Sequence, residues 1–192
     1  MMMNEIMSIN LVSDIGKVKL LDNNKLAFFC STTCPGDIIL KIYKFADSLS
    51  GSHITLISGF HSPVEQGLLD MLIRRKHPVI ICPARSIEGM RIPKKWRQGI
   101  DEGWMQVVSP FEKKHRRMTA ELAEQRNRFI ADLSDEILIA HASPGGKLEK
   151  FALELIEEGK RVWTFESEWN RGLVERGARI MRDFSEIIDR QV

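Results

Sequence analysis

Short apolar runs alternate with amphipathic stretches along most of the chain. The run at 26–30 is followed by apolar residues at helical spacing over 38–46, and the run at 54–57 by a second such stretch over 64–72. A third run follows at 78–82. Three apolar strands separated by amphipathic helices predict a parallel sheet, because parallel strands need crossover connections and are buried on both faces.

The second half of the chain continues this alternation. A helix is predicted over 92–100, and a short helix over 125–133 leads into a strand that ends at Ala140. Further strands are predicted at 105–109, 161–165 and 177–181. We predict a three-layer α/β fold with a mostly parallel sheet and helices on both faces. Residues 1–24 are expected to form an N-terminal arm or edge strand, and residues 25–192 a single domain.

Composition is consistent with one globular domain. The 192 residues are 43% hydrophobic, which is enough for one sizeable core. The first ten residues lack a basic segment followed by a long apolar core, and no apolar run approaches a membrane span. The cysteines Cys30, Cys34 and Cys82 suggest neither a disulfide framework nor a four-ligand zinc site. A reduced, cytoplasmic protein without a membrane segment is therefore expected.

Positive charge is concentrated in the middle of the chain. The formal net charge is +2, yet residues 85–128 include eleven Lys or Arg and six Asp or Glu. The loop at 110–118 is especially basic. It is either a solvated connector or a surface where four cations around Phe111 and His115 follow a polyanion.

Candidate ligand-binding residues follow the predicted strands. Ligands of such sheets bind beyond the carboxyl ends of the strands, where small residues let backbone N–H groups approach an anion at a helix start. The residues in these positions are Ser31, Ser58, Gly59, Arg85, Gly145, Gly146 and Lys147. A purely structural role is the alternative, in which Ser58 caps a helix and Gly59 relieves a tight turn. The Gly145-Gly146 turn lacks the spacing of a Walker loop.

A second group of candidates is the segment Arg126-Asn127-Arg128. The planar guanidinium fork donates two parallel hydrogen bonds and suits phosphate oxygens, so both arginines are expected over a pocket. The alternative is that they form surface ion pairs with Glu121 or Glu124.

The order of these motifs resembles the DprA/Smf family of bacterial DNA-processing proteins. The resemblance rests on Ser58-Gly59 after a strand, Ile92-Pro93 before a helix, the block 126–135, Gly145-Gly146, and the block 170–178 that begins at Asn170. It implies an extended Rossmann-like domain that binds single-stranded DNA, forms a homodimer and hands the strand to a RecA-type recombinase. The looser superfamily also includes the LOG-type nucleotide hydrolases.

The chain departs from the family pattern at two arginines. Cys30-Ser31-Thr32 stands where the family usually has Gly-Ser/Thr-Arg, and the segment after Ser58-Gly59 lacks the usual Ala-Arg-Gly. The loss of two cations should weaken binding that depends on phosphate neutralisation. The chain is thus similar to a minimal, divergent member of the family.

Three functions remain open on the sequence. The first is a DNA-binding module in which Arg85, Arg126, Arg128 and Lys147 contact phosphates above a floor shaped by Ser58, Gly59 and Asn170. The second is a nucleotide sensor that uses the same pocket. The third is a LOG-type N-glycosidase with Glu65 or Glu149 as the acid; an enzyme is the less favoured alternative.

No cofactor or metal is expected. The histidines His53, His77 and His141 lack ligand spacing. The four tryptophans, Trp96, Trp104, Trp163 and Trp169, are expected to pack in the core or at its edge rather than stack on bases.

Overall fold

The computed structural model describes residues 10–16 and 19–188. Its strands are β1 Ser13–Ile15, β2 Lys25–Cys30, β3 Thr55–Ser58, β4 Val79–Ile81, β5 Met105–Ser109, β6 Glu136–His141, β7 Val162–Phe165 and β8 Arg179–Met181. Its helices are α1 Gly36–Ser48, α2 Pro63–Arg74, α3 Lys94–Glu102, α4 Ala120–Leu133, α5 Lys147–Glu157, α6 Arg171–Glu175 and α7 Ser185–Ile188. Two 3₁₀ turns cover Leu20–Asp22 and Glu168–Asn170.

The strands form one eight-stranded sheet in the order β1-β5-β4-β3-β2-β6-β7-β8. All neighbouring pairs are parallel except β1 and β5, which are antiparallel. The predicted three-layer α/β fold with a mostly parallel sheet is confirmed. β1 lies at one edge of the sheet, within the predicted arm, whose residues 1–9 and 17–18 are outside the described part.

Two apolar layers cover the sheet because the central strands are apolar at consecutive positions. On one face, α1, α2 and α3 pack over side chains such as Leu26, Leu56 and Leu138. On the other face, α4 and α5 pack over Ala27, Ile57 and their neighbours. This packing fixes the first turns of the helices in place along one edge of the sheet.

Helix α4 begins five residues before the predicted start at Gln125, at Ala120. Thr119 caps it by accepting a hydrogen bond from the Leu122 backbone N–H at 3.1 Å. Leu122 is 5% exposed and packs with Phe111 and Ala84. This early start places Arg126 in the second turn of the helix.

The tryptophans occupy different environments. Trp163 is 2% exposed and donates to the carboxylate of Glu136 at 2.8 Å, as expected for a core residue. Trp169 is 59% exposed, so the expectation that it packs in the core or at its edge was wrong. The reason is its position in a 3₁₀ turn beyond the sheet rather than in a strand or an amphipathic helix.

Candidate functional site

The loops after β4, β3, β2, β6 and β7 meet at the carboxyl edge of the sheet. The order of the strands along the chain reverses between β2 and β6, which is where ligands bind in open α/β sheets. Helices α4 and α5 begin at this edge, since each follows the carboxyl end of a strand.

Arg126 is held at this edge by two hydrogen bonds. Its Nη1 donates to the carbonyl oxygen of Cys82, just after β4, at 3.1 Å. Its Nε donates to Oδ1 of Asn127 at 2.8 Å. The whole residue is only 7% exposed, so the guanidinium group has a fixed position beside the ends of β3 and β4.

The guanidinium group of Arg126 lies directly against the backbone of Gly59. A Cβ atom placed on Gly59 would be 1.4 Å from Nη1 and 2.2 Å from Cζ of Arg126. The absence of a side chain therefore permits this contact, and the expected role of Gly59 in relieving a tight turn is not its main one.

Arg126 is a buried cation that has no ion pair among the described residues. Burial lowers the pKa of Arg126, and the nearby Cys82 and Glu65 oppose that effect. Burial also raises the pKa of the Cys82 thiol to about 12, an effect that Arg126 partly offsets. Since buried charges are normally paired, this arginine is suited to an incoming anion.

Arg126 and Gly59 line a cavity of about 350 Å³. Its other walls are the residues after β3 and β4 and the start of α4, namely His61, Pro83, Ala84, Met118, Thr119, Ala120 and Ala123. Gly59, Ala84 and Ala123 are small residues, and Thr119 and Ala120 are exposed at the rim. A phosphate could therefore approach the guanidinium group without displacing a large side chain.

Glu65 organises the β3–α2 loop beside this cavity. Its Oε2 accepts from the backbone N–H groups of His61 at 2.8 Å and Ser62 at 2.9 Å, and its Oε1 from that of Cys30 at 3.2 Å. Ser62 completes a capping box by accepting from the Glu65 N–H. Both oxygens of this candidate acid are thus occupied by backbone donors.

Ser31 connects the loops at the reversal point of the sheet. Its N–H donates to the His141 carbonyl at 2.9 Å, and its Oγ accepts from the Ser143 N–H at 3.0 Å. The glycine turn follows directly. The Gly145 N–H donates to Oε2 of Glu149 at 2.7 Å, and the Gly146 N–H to the Ser143 carbonyl at 2.9 Å. Both glycine donors expected to cradle a phosphate therefore already have acceptors within the chain.

Asn170 and Ser58 are buried, at 1% and 0% exposure. Asn170 Nδ2 donates to the carbonyls of Ala140 at 2.9 Å and Phe165 at 3.1 Å, which joins the ends of β6 and β7. Its Oδ1 lies 3.1 Å from Nδ1 of His141. Ser58 Oγ accepts from the Phe60 N–H at 3.3 Å, so it shapes the loop rather than capping α2. Both residues lie beneath the edge rather than on it.

Arg128 does not share a pocket with Arg126, contrary to our expectation. It is paired with Glu154 at 3.0 Å and Glu158 at 2.7 Å, and its guanidinium carbon lies 5.2 Å from the Phe151 ring centre. The reason is helical geometry, because side chains two residues apart point in nearly opposite directions. The ion-pair alternative holds for Arg128, although its partners are Glu154 on α5 and Glu158 directly after it rather than Glu121 or Glu124.

The remaining candidate cations lie at the outer parts of the edge. Lys147 is exposed and pairs with Glu124 at 2.7 Å across the α4–α5 groove. Arg85 is half-buried, and its carbonyl accepts from Ser109 Oγ at 2.9 Å. In the basic loop, Phe111 is 4% exposed, so it cannot present a ring face for stacking.

Other site types find little support among residues 10–16 and 19–188. No group of three or more His, Cys, Asp or Glu in this part could hold a metal ion. No helix in the same part is long and apolar enough to cross a membrane.

Two solved structures share this fold. DNA processing protein A (DprA) from Streptococcus pneumoniae superposes with a TM-score of 0.74 at 17% identity, covering 92% of this chain and 64% of that one. DNA processing protein A from Helicobacter pylori, described for its unique single-stranded DNA binding mode, superposes with a TM-score of 0.73 at 19% identity, covering 93% and 85%. The chain thus spans less than two thirds of the pneumococcal protein.

A search of curated proteins finds no match. The profile of DNA recombination-mediator protein A, in contrast, matches residues 8–191, which is nearly the whole chain. This confirms the resemblance on which the sequence interpretation depended. The chain belongs to the DNA recombination-mediator protein A family, the DprA family of DNA-processing proteins.

Proposed function

We propose that the chain binds single-stranded DNA through phosphate contacts at the carboxyl edge of the sheet, with Arg126 as the central contact. The observation that carries the proposal is the buried guanidinium group of Arg126, which lines an open cavity and has no carboxylate partner among the described residues. The Helicobacter pylori protein of the same fold is described as binding single-stranded DNA, which supports the same ligand class here.

The other predicted residues position Arg126, support the loops or add positive charge. Gly59 lets the guanidinium group lie at the edge, and Asn127 orients its Nε. Ser31, Ser58 and Asn170 support the loops from beneath, and Gly145 and Gly146 shape the turn beside them. Arg85 and Lys147 would extend the cationic surface on either side, whereas Arg128 remains committed to α5.

The test compares Arg126→Ala with Arg128→Ala in titrations of a labelled oligodeoxythymidylate. Losing a charge-assisted hydrogen bond costs about 1.5 to 3 kcal/mol, so Arg126→Ala should weaken binding at least tenfold. The slope of log affinity against log salt should also fall by about 0.7 for one lost phosphate contact on a single strand. Arg128→Ala should change both quantities much less, because that arginine is paired within the protein.

Thermal unfolding of both variants controls for misfolding, and Arg126→Lys keeps the charge while removing the planar fork. Equal affinity of the parent and Arg126→Ala would contradict the proposal. Saturable binding of a mononucleotide in calorimetry, with no gain for longer strands, would favour a nucleotide sensor. Release of free base from a nucleoside monophosphate would favour the LOG-type N-glycosidase.

A homodimer and a RecA-type recombinase partner are part of the same proposal and come from the family resemblance, and a cytoplasmic location comes from the cysteine content and the apolar pattern of the sequence. Sedimentation of the free protein tests the homodimer. Co-sedimentation with a RecA-type recombinase on single-stranded DNA tests the partner.

A further inference from the structure

Trp169 is an exposed aromatic side chain at the same edge of the sheet. It is 59% exposed and lies in the 3₁₀ turn Glu168–Asn170, just beyond the carboxyl end of β7. Its indole N–H has no hydrogen-bond partner among the described residues. Tryptophan side chains are on average highly buried, and this exposed ring is accessible to a ligand at the carboxyl edge of the sheet.

The turn that carries Trp169 is held on both sides. Ser167 caps it by accepting from the Trp169 N–H, and the same Oγ donates to Oδ2 of Asp37 on α1 at 2.8 Å. On the other side, Asn170 is anchored to the carbonyls of Ala140 and Phe165. The indole is therefore presented from a fixed backbone rather than from a loose loop.

The turn adjoins the glycine turn of the proposed site. A Cβ atom placed on Gly172 would be 3.8 Å from Oε1 of Glu149, whose other oxygen accepts from the Gly145 N–H at 2.7 Å. Three strand intervals separate β3, which Gly59 directly follows, from β7, which is about 14 Å at normal strand spacing. A bound strand of a few nucleotides can span that distance.

We propose that Trp169 is a stacking platform for a base of the bound single strand, an inference that rests on the proposed DNA-binding function. A base needs one open ring face, and aromatic stacking is sequence-tolerant because every base has such a face. Glu166 and Glu168, within three residues of Trp169 along the chain, are exposed and disfavour phosphates at this turn, so the contact there is with a base rather than with the backbone.

The surroundings of Trp169 argue against a protein-docking surface. Its neighbours along the turn, Glu166, Ser167, Glu168 and Arg171, are polar or charged, so they do not extend the ring into the contiguous apolar patch that marks many protein interaction sites. A single ring on a polar, fixed turn has the area to stack on one planar ligand.

The experiment uses the whole chain with oligodeoxythymidylate and two readouts, the tryptophan fluorescence of the protein and the anisotropy of a labelled strand. Stacking should quench the fluorescence of the parent as the strand is added. Trp169→Ala should bind roughly 5-fold to 150-fold more weakly by anisotropy, the range for one lost stacked base. Trp169→Phe should retain most of the affinity but lose the quenching signal.

Tyr43→Ala is the matched control, because Tyr43 is an exposed aromatic residue, 43% exposed, in the middle of α1. It should leave both readouts unchanged. If the parent binds but Trp169→Ala binds equally well, stacking is refuted while the phosphate site stands. An altered oligomeric state of Trp169→Ala with unchanged DNA affinity would also overturn the inference, in favour of a protein contact. Failure of the parent to bind any strand would refute the proposed function itself.

Discussion

Replacing Gly59 with alanine should displace the guanidinium group of Arg126. The new Cβ atom would be 1.4 Å from Nη1. Since non-bonded heavy atoms settle at roughly 3.5 Å or more, the group must move by about 2 Å. The bond from Nη1 to the Cys82 carbonyl, 3.1 Å long, cannot survive that movement. The substitution therefore removes a buried, charge-assisted hydrogen bond without replacing either of the two residues that form it.

The expected cost is about 2 kcal/mol of unfolding free energy, the value of a hydrogen bond to a charged group. For a domain of this size the melting temperature should fall by roughly 4 to 8 °C. Thermal and urea unfolding, followed by circular dichroism, measure both quantities. Gly36→Ala is the control, because Gly36 begins α1 with no atom within 4 Å of its would-be Cβ, so it should not lower stability.

A double-mutant cycle makes this prediction sharper. Once Arg126 is replaced by alanine, Gly59→Ala has nothing to displace and should cost little. The coupling between the two positions should therefore be close to the full cost of Gly59→Ala alone. An equal cost of Gly59→Ala in both backgrounds would refute the proposed contact.

Two further predictions concern buried titratable groups. Burial lowers the pKa of His77 to about 4. The free energy of unfolding is therefore highest above pH 6.5, where the ring is neutral in both the folded and the unfolded protein. It should fall by about 3 kcal/mol in all as the pH drops toward 4, because the unfolded protein takes up the proton first. Urea unfolding across that pH range should show a drop that His77→Phe reduces and that His53→Gln, at an exposed position, does not. Glu65→Gln should cost about 1 to 3 kcal/mol, since the new amide group faces backbone N–H donors that need an acceptor; a variant as stable as the parent in the same unfolding assay would exclude this role.

The strands of the sheet could be predicted because each one is determined by a short, continuous segment of sequence. Each central strand is a short, continuous apolar run such as 26–30 or 54–57, and each run is followed by residues at helical spacing. The start of α4 was harder to predict, because Leu122 is the one buried residue between Thr119 and Gln125, and the first turn is fixed by a cap and by the packing of that side chain.

The candidate site was only partly predictable, because its key contacts join distant parts of the chain. The sequence identified Arg126 and Gly59 separately, but not that one lies on the other. The acceptor for Arg126 is the backbone carbonyl of Cys82. Every residue has a backbone carbonyl, so the residue types do not indicate which one accepts the bond. Arg128 could have been separated from Arg126 by its spacing alone, once both were placed on one helix.

The ends of the sheet constrain how copies of this chain can associate. β1 and β8 have only three residues each, and Arg179 in β8 is exposed. Short, charged outermost strands offer too few open backbone groups to recruit another strand, which is how natural sheets avoid aggregation. Association of copies by strand addition is therefore disfavoured, and contacts between side chains are the more favourable route for self-assembly through the described residues.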